Sequence, residues 1–245
     1  MSTSTERILL EMLGNPPVVV APPRRPPVEL YNGDRMSREE FHRLYEGAPE
    51  DFKAELIGGT VYVASPLKLA HGEPHLLLGV ALVVYASRTP GVRASDNTTV
   101  LLGDQAEPQP DLLLRILPEY GGQSSTTKDD YVKGAPELVV EVAHSSQAVD
   151  LHDKKDDYAR HGVREYLVVC VREQELRWFD LAAGKELQPD AAGIHRIQTF
   201  PGLWVNGPAL LAQDYRALMQ TLEEGLATPE HAAFVSELAA RRAKA

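Results

Sequence analysis

Residues 136–162 read PELVVEVAHSSQAVDLHDKKDDYARHG, and this stretch decides the fold because it places a charged residue inside an apolar strand. The run LVVEV at 138–142 is apolar on both alternating faces, which predicts a strand covered on both sides of a sheet. Glu141 nevertheless lies inside this run. A lone buried carboxylate is costly, so Glu141 requires a partner. The segment that follows, rich in Asp and Lys, predicts a helix from about Val149 to His161.

The overall charge of the chain limits how it can meet other molecules. Its 245 residues are 43% hydrophobic and 24% charged, as in an ordinary globular protein, with a formal net charge of -10 and a pI near 5.3. This balance argues against a broad basic surface. Any contact with nucleic acid is therefore expected to depend on a local patch, a metal ion or a partner subunit.

Cysteine usage and hydropathy favour a protein of the reducing cytoplasm. Cys170 is the one cysteine, and its place in the apolar run EYLVVCV predicts a buried strand residue rather than a nucleophile. We find no apolar stretch near the ~18 residues of a membrane helix, and the N-terminus is acidic where a signal peptide is basic. A cytoplasmic location without membrane insertion is therefore expected.

The order of predicted elements indicates an α+β fold with a mixed sheet. Two strands around the Gly58-Gly59 turn lead into a long helix, AHGEPHLLLGVALVVYASR. Strands follow in NTTVLLG, in PDLLLRIL, in the Glu141 run and in EYLVVCV, and a hairpin extends from ELRWFDLAAGKEL to HRIQTF. The segment PEYGGQSSTTKDDYVKG lacks periodicity and predicts a long loop or mobile flap. The apolar side of the long helix is expected to comprise Leu76, Leu77, Val80, Val83 and Val84.

Three regions are expected along the chain. Residues 1–35 form an N-terminal extension with a candidate short helix, ERILLEML, and a proline-rich stretch. Residues 36–208 form the core domain, which opens with Ser37 and Glu40 as a helix capping box. Residues 209–245 form a C-terminal helical extension, whose apolar residues either cover the sheet or join two subunits.

Two carboxylates are predicted to meet at one end of the sheet. Asp111 follows Gln109 and Pro110 at the start of the strand LLLRI, and Glu141 lies in the next core strand. If those strands are neighbours, both carboxylates can bind one divalent cation, with the main-chain carbonyl of Val142 as a further oxygen ligand. Such ligands suit Mg²⁺ or Mn²⁺. Alternatively, Asp111 closes an Asx turn and Glu141 is a sheet-end glutamate paired with a lysine.

The helix after Glu141 presents a polar face. Asp150, Lys154 and Tyr158 are spaced four apart, so they share one side of an α-helix. Lys154 can then point at the same carboxylates. The alternative is an exposed pair between Lys154 and Asp150. The adjacent Lys155 is the residue most easily mistaken for the functional lysine.

Two histidines lie close to the beginning of the long helix. His71 and His75 are four apart, but Pro74 lies between them at the predicted helix start, which disfavours a two-histidine metal site. His71 is better explained as a contact to the ligands of the ion or to a substrate phosphate.

These residues, in this order, resemble a known family. An aspartate after a proline on one strand, a glutamate on the next and a later lysine are the signature of the PD-(D/E)XK nuclease superfamily. The runs QPDLLL, GAPELVVEV and DLHDKKDDYARHGVREYLVV are similar to its Uma-type branch of restriction-endonuclease-like bacterial proteins. The likeness extends roughly from Glu55 to Leu211 and includes AELIGGTVYVASP, His71 and FPGLWV.

The chain departs from the superfamily pattern at the lysine. The usual lysine stands two residues after the glutamate, where this chain has Ala143. The Uma-type branch is similar in carrying a lysine on the following helix, which matches Lys154, and Asp150 also matches that branch. His144 differs from many relatives and bears on the loop after Glu141.

The resemblance implies a restriction-endonuclease-like core, a mixed β-sheet flanked by helices, with N- and C-terminal extensions. It implies catalytic roles for Asp111, Glu141 and Lys154, with Glu55 as an outer carboxylate, and Mg²⁺ or Mn²⁺ as the cofactor. The remaining candidates for contacting these ligands or the substrate are His71, Gln109, Asp150 and Tyr158.

The function expected from this set is metal-dependent phosphodiester hydrolysis by a DNA endonuclease. A homodimer is expected, because a chain of net charge -10 gains from pooling two local basic patches around two sites. One alternative is a catalytically degenerate nuclease fold that serves binding or assembly. The other is a metal-dependent hydrolase of a small phosphodiester, which the shortage of basic surface favours.

Overall fold

The computed structural model describes residues 29–66, 68–144 and 146–244, so most of the predicted N-terminal extension, with its candidate helix, lies outside the described part. The strands are β1 (Ala54–Ile57), β2 (Thr60–Val63), β3 (Val92–Asp96), β4 (Val100–Leu101), β5 (Leu112–Ile116), β6 (Ser125–Thr126), β7 (Val132–Lys133), β8 (Leu138–Ala143), β9 (Glu165–Cys170), β10 (Glu175–Asp180), β11 (Lys185–Leu187), β12 (Ile194–Arg196) and β13 (Trp204–Asn206). The helices are α1 (Arg38–Glu46), α2 (Leu69–Arg88), α3 (Gln147–Val149, Asp150–Lys154 and Lys155–His161 in succession), α4 (Gly207–Leu211), α5 (Tyr215–Leu226) and α6 (Pro229–Arg242).

A six-stranded mixed sheet carries the fold. Its strand order is β11-β10-β9-β8-β5-β3, and within it β8 and β9 run parallel while the other neighbours run antiparallel. A parallel pair needs a crossover connection, which α3 supplies between β8 and β9. The predicted α+β class with a mixed sheet is confirmed, as is the strand EYLVVCV with its buried cysteine, Cys170.

Both faces of the sheet are covered, as the apolar run around Glu141 predicted. Leu138, Val140 and Val142 of β8 belong to the core shared with α2, α5 and α6. Val139 and Ala143 belong to the core on the opposite face, beneath α3. Because side chains alternate along a strand, Glu141 lies on the α3 face. The charged helix is therefore placed directly over the buried carboxylate.

Helix α2 packs with a different side toward the core than its periodicity predicted. Of the five residues expected to be buried, Leu77 is buried and Val84 partly so, whereas Leu76 is 70% exposed and Val83 60% exposed. The helix is apolar nearly all round, so the pattern does not specify a buried side. The residues that pack inward are Leu77, Leu78, Ala81, Leu82 and Tyr85.

The same composition corrects the expectation about membrane helices. Within the described residues, α2 is the one helix long and apolar enough to cross a membrane by length and composition. The core helix of a soluble protein passes the same test, so the finding is weak evidence for a span. Helix α2 contributes Leu78, Leu82 and Tyr85 to the core of the sheet.

Several predicted strands are rearranged. β3 was not predicted and forms one edge of the main sheet, whereas the strand in NTTVLLG is reduced to β4, outside that sheet. The predicted flap contains β6 and β7, which join β4 in a small sheet, so it is partly regular. The predicted hairpin is divided, because β10 pairs with β11 and β12 pairs with β13.

The C-terminal helices cover the domain to which they are attached. Leu218 and Leu222 of α5, and Phe234 and Leu238 of α6, lie in the same core as α2 and the sheet. The predicted helices are thus present, and these four apolar side chains are buried within one chain, whereas Tyr215 of α5 is 58% exposed.

Candidate functional site

Asp111 and Glu141 are neighbours where β5 and β8 pair. The two strands run antiparallel with Leu112 opposite Val140, which places the residues one step beyond, Asp111 and Glu141, side by side. The Asp111 amide lies 3.4 Å from Glu141 Oε2. Asp111 Oδ2 accepts a hydrogen bond of 2.7 Å from the Val142 amide. The structure therefore brings together the two carboxylates that the sequence placed on separate strands.

Lys154 is the buried partner of Glu141. Its Nζ lies 3.0 Å from Glu141 Oε1, 2.8 Å from Glu55 Oε2 and 3.7 Å from Asp150 Oδ1. The Tyr158 hydroxyl donates a second hydrogen bond to Glu141 Oε1 at 2.9 Å. The Lys154 side chain is only 7% exposed, so it does not form the solvent-exposed pair considered as an alternative.

A π-helical segment in α3, Asp150–Lys154, sets the direction of these side chains. In an α-helix, residues four apart drift by about 40° around the axis, and the wider π turn offsets part of that drift. Asp150, Lys154 and Tyr158 consequently all face inward. Lys155 instead directs its Nζ over the Phe179 ring, 5.1 Å from the ring centroid.

Glu55 and Asp150 are held by groups outside the carboxylate cluster. Glu55 Oε1 accepts a hydrogen bond of 2.7 Å from the Gln109 amide. Asp150 Oδ2 accepts a hydrogen bond of 2.6 Å from the Ser146 hydroxyl. Gln109 therefore positions Glu55 through its main chain, in addition to bordering the site.

Both histidines lie on the helix and approach Asp111. Helix α2 begins at Leu69, one residue before the predicted helix AHGEPHLLLGVALVVYASR, so Pro74 lies inside the helix rather than at its start. His71 Nε2 lies 3.2 Å from Asp111 Oδ2, and His75 Nδ1 lies 3.9 Å from Asp111 Oδ1. The contact of His71 with the carboxylate cluster was anticipated, and that of His75 was not.

Burial perturbs the protonation of the central pair. Burial raises the pKa of Glu141 well above its ordinary range; Lys154 opposes this rise, and the carboxylates of Asp111, Asp150 and Glu55 add to it. Burial by itself lowers the pKa of Lys154, but the surrounding carboxylates outweigh it and hold that pKa well above the ordinary value. The lysine is therefore charged, and the glutamate is the group whose ionisation is opposed.

Asp111 behaves in the opposite way to Glu141. Burial raises the pKa of Asp111, but the hydrogen bond and charge of His71, the Val142 amide and the charge of Lys154 together lower it below the ordinary value. Asp111 is therefore the carboxylate of this pair that is readily ionised.

One open cavity of about 390 Å³ collects the predicted residues. Lys68 and Arg172 also border it and were not predicted. Arg172 follows β9, which runs parallel to β8, so the carboxyl ends of both strands lie at one edge of the sheet. That pairing is the signal by which Arg172 could have been found. The predicted residues that line the cavity are Glu55, His71, Gln109, Asp111, Glu141, Val142, Asp150 and Lys154.

The donor set fits a divalent cation. The carboxylates of Glu55, Asp111, Glu141 and Asp150 surround one lysine, which leaves negative charge uncompensated when all four are ionised. Within the described residues, Asp111 Oδ1 and Glu141 Oε2 make no hydrogen bond shorter than 3.4 Å. Two such oxygens from adjacent strands are ligands of the kind that Mg²⁺ and Mn²⁺ prefer.

A solved structure shares the fold. It is described as "a putative nuclease belonging to DUF820" from Anabaena variabilis ATCC 29413, and it superimposes with a TM-score of 0.58. The match covers 72% of this chain and 98% of the other, at 16% sequence identity. Similarity at this level of identity shows a common fold. No curated protein gives a significant match to the chain.

The family comparison extends over most of the domain. Residues 38–211 match the model of the Uma2 family, which is described as "Putative restriction endonuclease". The matched range contains all the carboxylates of the cluster together with Lys154. This match confirms the predicted resemblance and supports a nuclease-like function. The chain belongs to the Uma2 family.

Proposed function

We propose that this protein is a divalent-metal-dependent endonuclease that hydrolyses phosphodiester bonds of DNA. The observation that carries the proposal is the convergence of Asp111, Glu141, Glu55 and Lys154 in one cavity. On each of the first two residues, one carboxylate oxygen makes no hydrogen bond shorter than 3.4 Å within the described part of the chain. Membership in a family described as restriction endonucleases supports the same reaction class.

The residues have distinct expected roles. Asp111, Glu141 and the Val142 carbonyl would hold Mg²⁺ or Mn²⁺, which when bound supplies an acidified water and neutralises phosphate charge. Lys154 fixes the orientation of Glu141 and Glu55 and offers its charge to the anion that develops in the transition state.

Basic side chains lie at the rim of the cavity, although the chain as a whole is acidic. Lys68, His144 and Arg172 border the same cavity as the carboxylates, so a local patch of basic groups lies next to the acidic cluster. A phosphodiester can then meet positive side chains on one side and the metal ligands on the other. This arrangement supports the binding of a polyanion by a chain whose net charge is -10.

Cleavage of supercoiled plasmid DNA, with Mg²⁺ or Mn²⁺ and with EDTA, tests the proposal. We expect cleavage that EDTA abolishes and that falls on the order of 10²-fold or more in Asp111→Asn and Lys154→Met. Lys155→Met is the matched control, because that lysine lies over Phe179 outside the cluster. Circular dichroism should show each variant folded. Equal loss in the two lysine variants would contradict the assigned role of Lys154.

Metal binding separates an active enzyme from a degenerate module. Calorimetry should detect Mg²⁺ binding that Asp111→Asn or Glu141→Gln largely removes, and undiminished binding in both variants rejects the site. Parallel assays on duplex DNA, single strands, RNA and a small chromogenic diester identify the substrate. Turnover of the diester alone would favour the small-molecule alternative over an endonuclease.

The proposed homodimer is tested separately. Light scattering on the full chain reports the mass directly, and a monomer at assay concentration rejects the dimer. Truncation near Pro208 is a poor probe of assembly, because it removes Leu218, Leu222, Phe234 and Leu238 from the core.

A further inference from the structure

His71, His75 and Asp111 form a second group of metal-ligating atoms beside the carboxylate cluster. One nitrogen from each histidine and one oxygen from Asp111 lie within 4.8 Å of one another. The two histidine rings are 5.6 Å apart between centroids and nearly perpendicular. Bonds of about 2.1 Å to a common ion separate ligands by roughly 3–4 Å, so a small contraction would complete the site.

The hydrogen bonds of His75 prepare one of its nitrogens for a cation. Its Nε2 lies 2.7 Å from Asp96 Oδ1, the arrangement in which a carboxylate holds a ligating histidine in one tautomer. When Nε2 carries the proton, Nδ1 presents a lone pair toward Asp111 Oδ1 at 3.9 Å. Two acceptors then face each other across a gap that a cation would fill.

His71 contributes from the buried side of the same gap. Its side chain is buried, its Nε2 approaches Asp111 Oδ2 at 3.2 Å, and its Nδ1 has no hydrogen-bond partner within the described residues. Helical spacing of four aligns both histidines over the start of β5, where Asp111 lies. Two separate segments of chain, α2 and the residue before β5, therefore direct donors at one position.

We propose that His71, His75 and Asp111 bind a transition-metal ion of the Mn²⁺, Co²⁺ or Zn²⁺ class, separate from the ion between Asp111 and Glu141. Two imidazoles with one carboxylate suit these ions, whereas Mg²⁺ prefers oxygen ligands. Asp111 offers Oδ1 and Oδ2 and would serve both ions. A catalytic role for this second ion rests on the proposed nuclease function, but its binding does not.

Titration with Co²⁺ tests the site without any need for turnover, because Co²⁺ bound by histidine absorbs visible light. The wild-type chain should show this absorption, and excess Mg²⁺ should not displace it. His75→Ala should weaken Co²⁺ binding at least 10-fold. Asp96→Asn, which removes the negative charge beside His75 Nε2, should weaken it about 10-fold. His152→Gln is the control, since that histidine is exposed on α3.

Glu141→Gln discriminates between two sites and one. The Co²⁺ absorption should persist in this variant, because Glu141 is not among the three ligands, and its loss there would overturn the proposal. Undiminished Co²⁺ binding in His75→Ala would overturn it as well. If the wild type binds Co²⁺ through His75 but cuts no DNA, the nuclease proposal fails and this site stands. If cutting depends on Asp111 while His75→Ala binds Co²⁺ normally, the histidine site fails and the nuclease proposal stands.

Discussion

Replacing Lys154 by Met tests whether one buried cation holds the carboxylate cluster together. Met keeps much of the apolar stem and removes the charge. The lysine lies within 3.0 Å of Glu55 and Glu141 and 3.7 Å from Asp150, so its loss leaves two buried carboxylates and the half-buried Glu55 without their shared partner. Removing one partner of a buried ion pair costs about 3–5 kcal/mol. Domains of this kind are stable by about 5–15 kcal/mol, so the metal-free variant should lose a large part of its stability.

A second substitution identifies the source of that loss. Adding Glu141→Gln to Lys154→Met should restore about 1–3 kcal/mol, because it removes a buried charge and keeps an oxygen that can accept from Tyr158. Saturating Mn²⁺ should also restore stability to Lys154→Met, since an ion that binds only the folded chain stabilises it. Urea denaturation in EDTA, followed by circular dichroism, measures each value.

Lys155→Met supplies the comparison for this series. Its ammonium lies over the Phe179 ring, a contact worth about 0.5–1 kcal/mol at an accessible position. Lys154→Met should therefore be the less stable variant by at least about 2 kcal/mol. Equal stability of the two variants would refute the idea that Lys154 is the cation on which the buried carboxylates depend.

Two further predictions concern parts of the fold away from the cavity. Burial lowers the pKa of His195 from 6.5 to about 4, so the stability it contributes is complete above pH 6.5 and is lost as the pH falls toward 4. His195→Gln should flatten the fall in unfolding free energy over that range in urea titrations, and an unchanged slope would contradict this. A Cβ at Gly122 would lie 1.8 Å from the Ile116 carbonyl oxygen, so Gly122→Ala should cost at least about 2 kcal/mol. Thermal unfolding measures it, and a wild-type midpoint would show that the turn adapts.

The main features of the site could be predicted because they depend on short-range patterns. A run that is apolar on both faces of the strand indicated that Glu141 is buried, and a spacing of four along the helix grouped Asp150, Lys154 and Tyr158. The requirement that a buried charge has a partner then linked strand and helix. These rules need only the local geometry of one strand and one helix.

The remaining features depend on contacts between distant segments. The sheet and α5 determine which side of α2 is buried. A sequence that is apolar all round, such as LLLGVALVV, does not indicate which side that is. Likewise, His71 is helical only because α2 starts before Pro74, and both histidines meet Asp111 because the helix crosses the beginning of β5. A proline normally marks a helix end or first turn, so local rules pointed away from this helix start.

The pairing of β3 and of β4 could likewise not be predicted from the sequence. β3 carries Arg93, Ser95 and Asp96, and it pairs at the edge of the sheet where one side needs little apolar cover. The segment expected to be a flap gains its strands by pairing with β4, more than twenty residues earlier in the chain. The composition of the segment alone does not indicate that it pairs with a distant strand.

The π-helical turn at Asp150–Lys154 is equivalent to a single residue inserted into a regular helix. Deleting one residue there would let the turn close as ordinary α-helix and leave the residues after it on nearly the same side, because the π turn already absorbs one extra residue. Tyr158 would then stay close to Glu141, whereas a deletion within Lys155–Asp157 would rotate Tyr158 by about 100°. The π turn is therefore a place where the spacing between strand and helix can change by one residue without breaking the cluster. Alignments that place a gap inside this turn would still equate residues from the same side of the helix.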